Sequence, residues 1–286
     1  MKTATDKLKI YFYCTLVLSA LCAILRSVSL LTAFDSKVGY FNTKLVMPHI
    51  HLALIIASVI FFASLFFFLK KAPLSKELPV FSHLNVFAGF MCGTTYISSI
   101  ALLLLYQGGS VGIIHLVILA SCAISVIYFF YDALCPAEKK SPYRVVLAIA
   151  AVVSLISIII DENIDYTVPL NNPNKVIIFL TFISISLFLV QDMRFAVNRP
   201  LPRAYVFTAL TSFLLCVSSS VPGIIGHYAN ILSGVDFLIY YMIALAYGIY
   251  IFARLSAYVK YSSFVTASSV EEASAEVQPD EISENT

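Results

Sequence analysis

The stretch IHLALIIASVIFFASLFFFL, residues 50–69, runs directly into Lys70-Lys71. An α-helix needs about 20 consecutive apolar residues to cross the hydrocarbon core of a bilayer. A membrane β-strand would alternate apolar and polar residues over about ten positions, and this run does not. Seven further runs share its character: Leu8–Phe34, Leu84–Tyr106, Val111–Tyr131, Tyr143–Ile160, Val176–Val190, Tyr205–Ile225 and Ile231–Ala253. Tyr143–Ile160 and Val176–Val190 are short, and reach across only with their flanks or with local thinning of the bilayer. The chain therefore reads as an all-α, polytopic integral membrane bundle of eight transmembrane helices.

Composition agrees. Of 286 residues, 60% are hydrophobic and 12% charged, where a soluble domain carries about 25% charged residues.

Lys70-Lys71 also begins a pattern. Cytoplasmic segments of membrane proteins are enriched in Lys and Arg. Here the N-terminus holds Lys2, Lys7 and Lys9, and the second gap Lys70, Lys71 and Lys76. The fourth gap holds Lys139, Lys140 and Arg144, the sixth Arg194, Arg199 and Arg203, and the C-terminal flank Arg254 and Lys260. The other gaps hold only Lys37, Lys44 and Lys175. Of the 18 basic residues, 14 thus fall on one side and 3 on the other, with Arg26 inside the first span. The expected topology has both termini in the cytoplasm, and orientation alone accounts for the basic residues on that side.

Residues 1–261 are expected to form the bundle. Residues 262–286 form an acidic, disordered tail carrying Glu271, Glu272, Glu276, Asp280, Glu281 and Glu284. The first run is too long for a secretion signal and lacks an A-x-A site. Five of the six cysteines lie in spans and Cys135 on the inside, so no disulfide framework is expected. With no N-x-S/T sequon, this suits a bacterial cytoplasmic membrane. Paired prolines mark three cytoplasmic turns (Pro73 and Pro79, Pro136 and Pro142, Pro200 and Pro202), the outline of a repeated hairpin.

Several spans carry polar residues on one face, as at a helix contact or a wet cavity. Asn85, Gly89, Gly93, Tyr96 and Ser99 share one in the third span, and Ser121, Ser125, Tyr128 and Asp132 one in the fourth. Asp236, Tyr240, Tyr247 and Arg254 share one in the eighth. In the seventh, Ser218-Ser219-Ser220 precedes Pro222-Gly223. Proline there removes a backbone donor, which either kinks the helix or opens a binding site. Arg26 lies about 24 Å from the inner end of its span, and Asp236 about 7.5 Å from the outer end of the last, at 1.5 Å per residue. Their depths match, so an ion pair joining the first and last helices is expected. The ligand-facing candidates are Arg26, Tyr96, Ser125, Ser218, Asp236 and Tyr240.

His49, His51, His115 and His227 all fall on the outer side, with Asp35, Asp161 and Glu162 as neighbouring carboxylates. Their spacing makes no metal motif, and His49 and His51 would point about 200° apart on a helix. No metal, cofactor or nucleic-acid partner is expected. The chain lacks a phosphate-binding G-x-x-x-x-G-K-[ST] loop and a G-x-S-x-G nucleophile turn. Three classes remain. One is a transporter-like protein or permease subunit with an outward polar cavity for a small neutral or amphipathic substrate, partnered by other membrane subunits or an ATPase. Another is a scaffold, sensor or assembly protein, which predicts a tightly packed bundle. The third is a lipid-modifying enzyme, which predicts that the outer histidines converge on a carboxylate.

Overall fold

The computed structural model describes residues 4–36, 38–42, 45–70, 74–78, 82–106, 112–135, 142–164, 171–232 and 235–276, with the side chains of 4, 5, 235–237 and 263–276 outside that description. Its helices are α1 (Ala4–Ala33), α2 (Met47–Ala63), α3 (Leu65–Phe68), α4 (His83–Tyr106), α5 (Ile113–Leu134), α6 (Pro142–Ile164), α7 (Pro173–Ala196), α8 (Pro202–Tyr228) and α9 (Val235–Glu276). The short α3 continues α2 into one span, Met47–Phe68, so the described residues hold eight helices long and apolar enough to cross a membrane. The molecule is an all-α multi-pass bundle.

The two short runs become full spans. Helix α6 has 23 residues and α7 has 24, about 35 Å each at 1.5 Å per residue. Arg144 and Glu162 extend the first, and Asn174, Lys175 and Asp192 extend the second; all five are buried. Polar residues that shorten the apolar runs are therefore inside the bundle rather than in the flanks.

Helix α9 packs against α1, α4, α7 and α8, so the first and last spans are indeed neighbours. Chain neighbours α4 to α8 contact one another in sequence, and α1 closes against α8. Span α2–α3 lies outside, against α1 and α8. Lipid tails give apolar helices no hydrophobic reason to associate, so close packing at small residues carries the contacts. The Gly89-x-x-x-Gly93 pair does this on α4. A methyl group at Gly89 would lie 2.9 Å from Ala133 Cβ, and one at Gly93 would lie 2.8 Å from the Phe130 ring.

The end of the bundle where α1 begins is here the near end, and the opposite one the far end. At the far end a small hairpin pairs Phe34 with Phe41 and Asp35 with Tyr40. Gly39 holds its turn with φ +79°, a conformation that side chains with a Cβ rarely adopt. The hairpin clasps the start of α7: Tyr40 bonds Asn171, and Asn172 Nδ2 donates to the Gly39 carbonyl at 2.8 Å. Asn172 also caps α7, its Oδ1 accepting from the backbone of Asn174 and Lys175. At the near end Arg203 donates to the carbonyls of Leu69 and Lys70, and Tyr258 donates to Ser75 at 2.8 Å. Helix α9 runs on past its span to Glu276, so the first part of the expected tail is helical; residues 277–286 lie outside the described residues.

Candidate functional site

Two buried polar clusters lie at opposite ends of the bundle, with a hydroxyl network between them. The near-end cluster joins four helices. Asp132 closes α5, Arg144 opens α6, Asp192 closes α7 and Arg254 follows the apolar part of α9. Arg144 Nε donates to Asp132 Oδ1 at 2.9 Å, and its Nη2 to Asp192 Oδ2 at 2.9 Å. Arg254 Nη2 grips both Asp132 oxygens, at 2.6 and 2.7 Å. Tyr250 donates to Asp132 Oδ2 at 2.8 Å and accepts from Arg254 Nε at 3.2 Å. All four charged side chains are at most 8% exposed.

Two cations and two carboxylates make the cluster neutral. Its signs alternate, and its side chains hydrogen-bond one another throughout, save Asp192 Oδ1, which is buried without a partner among the described residues. That is the condition under which attraction offsets the large desolvation cost of buried charge. Orientation alone therefore does not account for Arg144 and Arg254: among the described residues they are buried as partners of Asp132 and Asp192. The available signal was the position of both aspartates at the last turn of an apolar run, each facing a basic residue at the start or end of another.

At the centre, the Tyr96 hydroxyl meets Ser154 Oγ and the Tyr247 hydroxyl, both at 2.9 Å. The Phe129 ring stacks on Tyr96 and meets Tyr247 edge-on, with centroids 5.8 and 5.4 Å apart. Three helices, α4, α6 and α9, are tied here by hydroxyls, and α5 supplies the ring that fills the space.

The far-end cluster gathers on α1, α2, α6, α7 and α9. Arg26 is 3% exposed, and its Nη2 donates to Asn174 Oδ1 at 2.6 Å. Arg26 Nε, Asn174 Nδ2 and His51 Nε2 are buried with no hydrogen-bond partner. No carboxylate pairs with Arg26 among the described residues. His51 and Tyr241 lie within electrostatic reach of Arg26, and Tyr241 also within reach of Glu162. Lys175, whose side chain is fully buried, faces Glu162 at 3.7 Å.

The six residues singled out in the sequence are distributed over these layers. Arg26 belongs to the far-end cluster, with Asn174 as its described partner; the side chain of Asp236 lies outside the described residues. Tyr96 is in the central network. Ser125 and Ser218 are fully buried and donate to their own helices, at Ser121 and Leu215. Tyr240 is 5% exposed and meets the Phe182 ring edge-on. Asn174 is the site residue that sequence reasoning left out, while Arg144 and Lys175 read there only as orientation charges, Glu162 only as a carboxylate beside the outer histidines and Arg254 only as part of a polar face.

Pro222 does not open α8, which continues as one helix from Pro202 to Tyr228. The serine hydroxyls donate to Leu215 and Cys216, a turn before the carbonyl that Pro222 leaves without its helical donor. Gly223 is the seat of the Tyr241 ring: a Cβ there would lie 2.4 Å from the ring carbons. The outer histidines disperse. His51 is buried and His49 exposed, as their angular separation requires. His115 faces Asp161 at 3.7 Å, and the His227 ring lies edge-on to Tyr228. Among the described residues no three His, Cys, Asp or Glu side chains come together as a metal site needs.

The described cavities are apolar grooves between helices. One of about 550 Å³ lies between α1 and α2, bounded by Tyr13, Val17, Leu54 and Phe61. Another of about 300 Å³ lies among α1, α8 and α9, bounded by Leu16, Phe213, Leu245 and Phe252. The chain matches no family model, and comparison with curated proteins and with solved structures finds no match.

Proposed function

We propose that this multi-pass membrane protein works as a sealed bundle of the sensor or assembly type. The observation that carries the reading is the central network. Between α4, α6 and α9 the Tyr96 hydroxyl bonds both Ser154 and Tyr247, and the Phe129 ring packs against both tyrosines, where a conduit needs polar groups turned toward water. The near-end cluster supports it by tying α5, α6, α7 and α9 into one unit. With the Lys- and Arg-rich end in the cytoplasm of a bacterial cell, that cluster lies at the inner boundary and the hairpin cap faces outward.

A transporter-like reading, with other subunits or an ATPase as partner, draws on one observation of its own. Buried charges at both ends of a bundle are what alternating gates use. Cysteines separate the two. Cys92, Cys122 and Cys216 are buried, while Cys14 and Cys135 are partly exposed. Treat the protein in vesicles, from both sides, with a charged, water-soluble methanethiosulfonate and read the sites by mass spectrometry. A sealed bundle leaves Cys92, Cys122 and Cys216 unmodified. Modification of those three overturns the sealed reading in favour of a water-filled path.

A further inference from the structure

We propose that Arg26, Asn174 and His51 form a binding site for one oxyanion, a carboxylate or a phosphate, at the far end of the bundle. Three helices bring the donors. Arg26 comes from α1, His51 from α2 and Asn174 from α7, and they are 3%, 7% and 2% exposed.

The argument starts from satisfaction. A buried polar atom without a partner is destabilising, and a buried cation without a counter-ion much more so. At this depth in a membrane protein such a residue is kept for function by default. Among the described residues Arg26 makes one side-chain hydrogen bond, to Asn174 Oδ1, and its Nε–H is unused. That bond fixes the amide: Oδ1 accepts from Arg26, and the NH₂ of the same amide beside it is unused. His51 Nε2 is the third orphan, a donor in the tautomer that carries its proton there.

The chemistry of the unused atoms selects the ligand. A guanidinium edge and an amide NH₂ donate only. Oxyanions match several donors at once, and Arg is the side chain whose fork suits carboxylate and phosphate geometry. The surrounding charges agree. Glu162 faces Lys175 at 3.7 Å, so among the described residues this carboxylate answers a second cation rather than Arg26. Tyr241 and His51 are the other titratable groups in reach. Ordering also agrees: Asn172 fixes the backbone of Asn174 and binds the hairpin at Gly39, so the donor is held by the far-end cap.

The same chemistry comes from two sources, a free anion in water or the phosphate of a lipid headgroup. The proposal deepens the sensor reading by naming what is sensed. Binding is nevertheless measured independently of thiol labelling, so either can fail alone.

The test uses the full chain in a neutral, lipid-free detergent. Thermal unfolding is followed with inorganic phosphate, acetate, or chloride at matched ionic strength, and separately in micelles doped with phosphatidylglycerol. The expected result is a saturable rise in Tm of several degrees with an oxyanion and none with chloride. A rise with phosphate or acetate alone identifies a free anion, and a rise with phosphatidylglycerol only identifies a headgroup. Arg26→Met and Asn174→Leu each abolish the rise. Without ligand, Arg26→Met is as stable as the parent or more so, because it removes a buried charge that has no carboxylate partner among the described residues. Arg26→Met destabilised in the absence of ligand, a response that survives either substitution, or no response to any oxyanion overturns the proposal.

Discussion

Arg144 and Arg194 each add one positive charge to the same end of the bundle, and their surroundings differ completely. Arg144 is 7% exposed between Asp132 and Asp192. Arg194 is partly exposed and, among the described residues, donates to the Arg199 carbonyl. Removing one member of a buried ion cluster strands the opposite charge, at about 3–5 kcal/mol. A surface substitution usually stays within about 0.5 kcal/mol. Arg144→Gln is therefore expected to lower the unfolding free energy in micelles by several kcal/mol, and Arg194→Gln to leave it nearly unchanged. Equal effects would mean that both residues serve orientation alone. A Lys/Arg count does not tell them apart, because it treats every basic residue of a cytoplasmic gap alike; only the aspartates that close α5 and α7 mark Arg144 as different. Arg26 was legible as an anomaly since it lies mid-span. Its contact with Asn174 was not, because Asn174 sits in a loop-like Asn-Asn-Pro-Asn stretch that turns out to open α7.

Helix α8 shows how one element combines a proline with close packing. Pro222 lacks a backbone donor, yet the helix carries on, and Gly223 accepts the face of Tyr241 where a methyl group has no room. Overpacking of this kind costs about 1–3 kcal/mol and sometimes more. Gly223→Ala is expected to lower Tm by several degrees, and adding Tyr241→Ala to recover part of that loss by opening the space. A Gly223→Ala protein with an unchanged melting curve would show that the ring moves freely. At this scale the spans were legible from the length of their apolar runs, and the Gly89-x-x-x-Gly93 contact from spacing. The ends of α6 and α7 were not. Arg144, Glu162, Asn174, Lys175 and Asp192 read as flanking polar residues, and only tertiary pairing puts them inside.

Across the whole molecule, polarity is layered. Charge lies at the near end, hydroxyls at the centre, and orphaned donors at the far end, with α9 passing close to all three. The polar faces seen in the sequence do point inward, as Tyr96, Ser125 and Ser218 show. Periodicity says which face is buried; it does not say whether water or another side chain fills the space it faces. That depends on which residues meet across helices far apart in the chain, such as Tyr96 and Tyr247. The near-end cluster is the same kind of long-range event, with Asp132 and Arg254 separated by 122 positions. The sealed near end depends on this cluster being a single neutral unit. The most direct test is a double-mutant cycle with Asp132→Asn and Arg254→Gln, read by unfolding in micelles. Each single change leaves a net buried charge, whereas the double variant leaves the neutral Arg144–Asp192 pair. The expected result is strong non-additivity, with a coupling of about 2 kcal/mol or more and a double variant no less stable than the weaker single one. Additive losses would contradict the cluster, and with it the sealed near end.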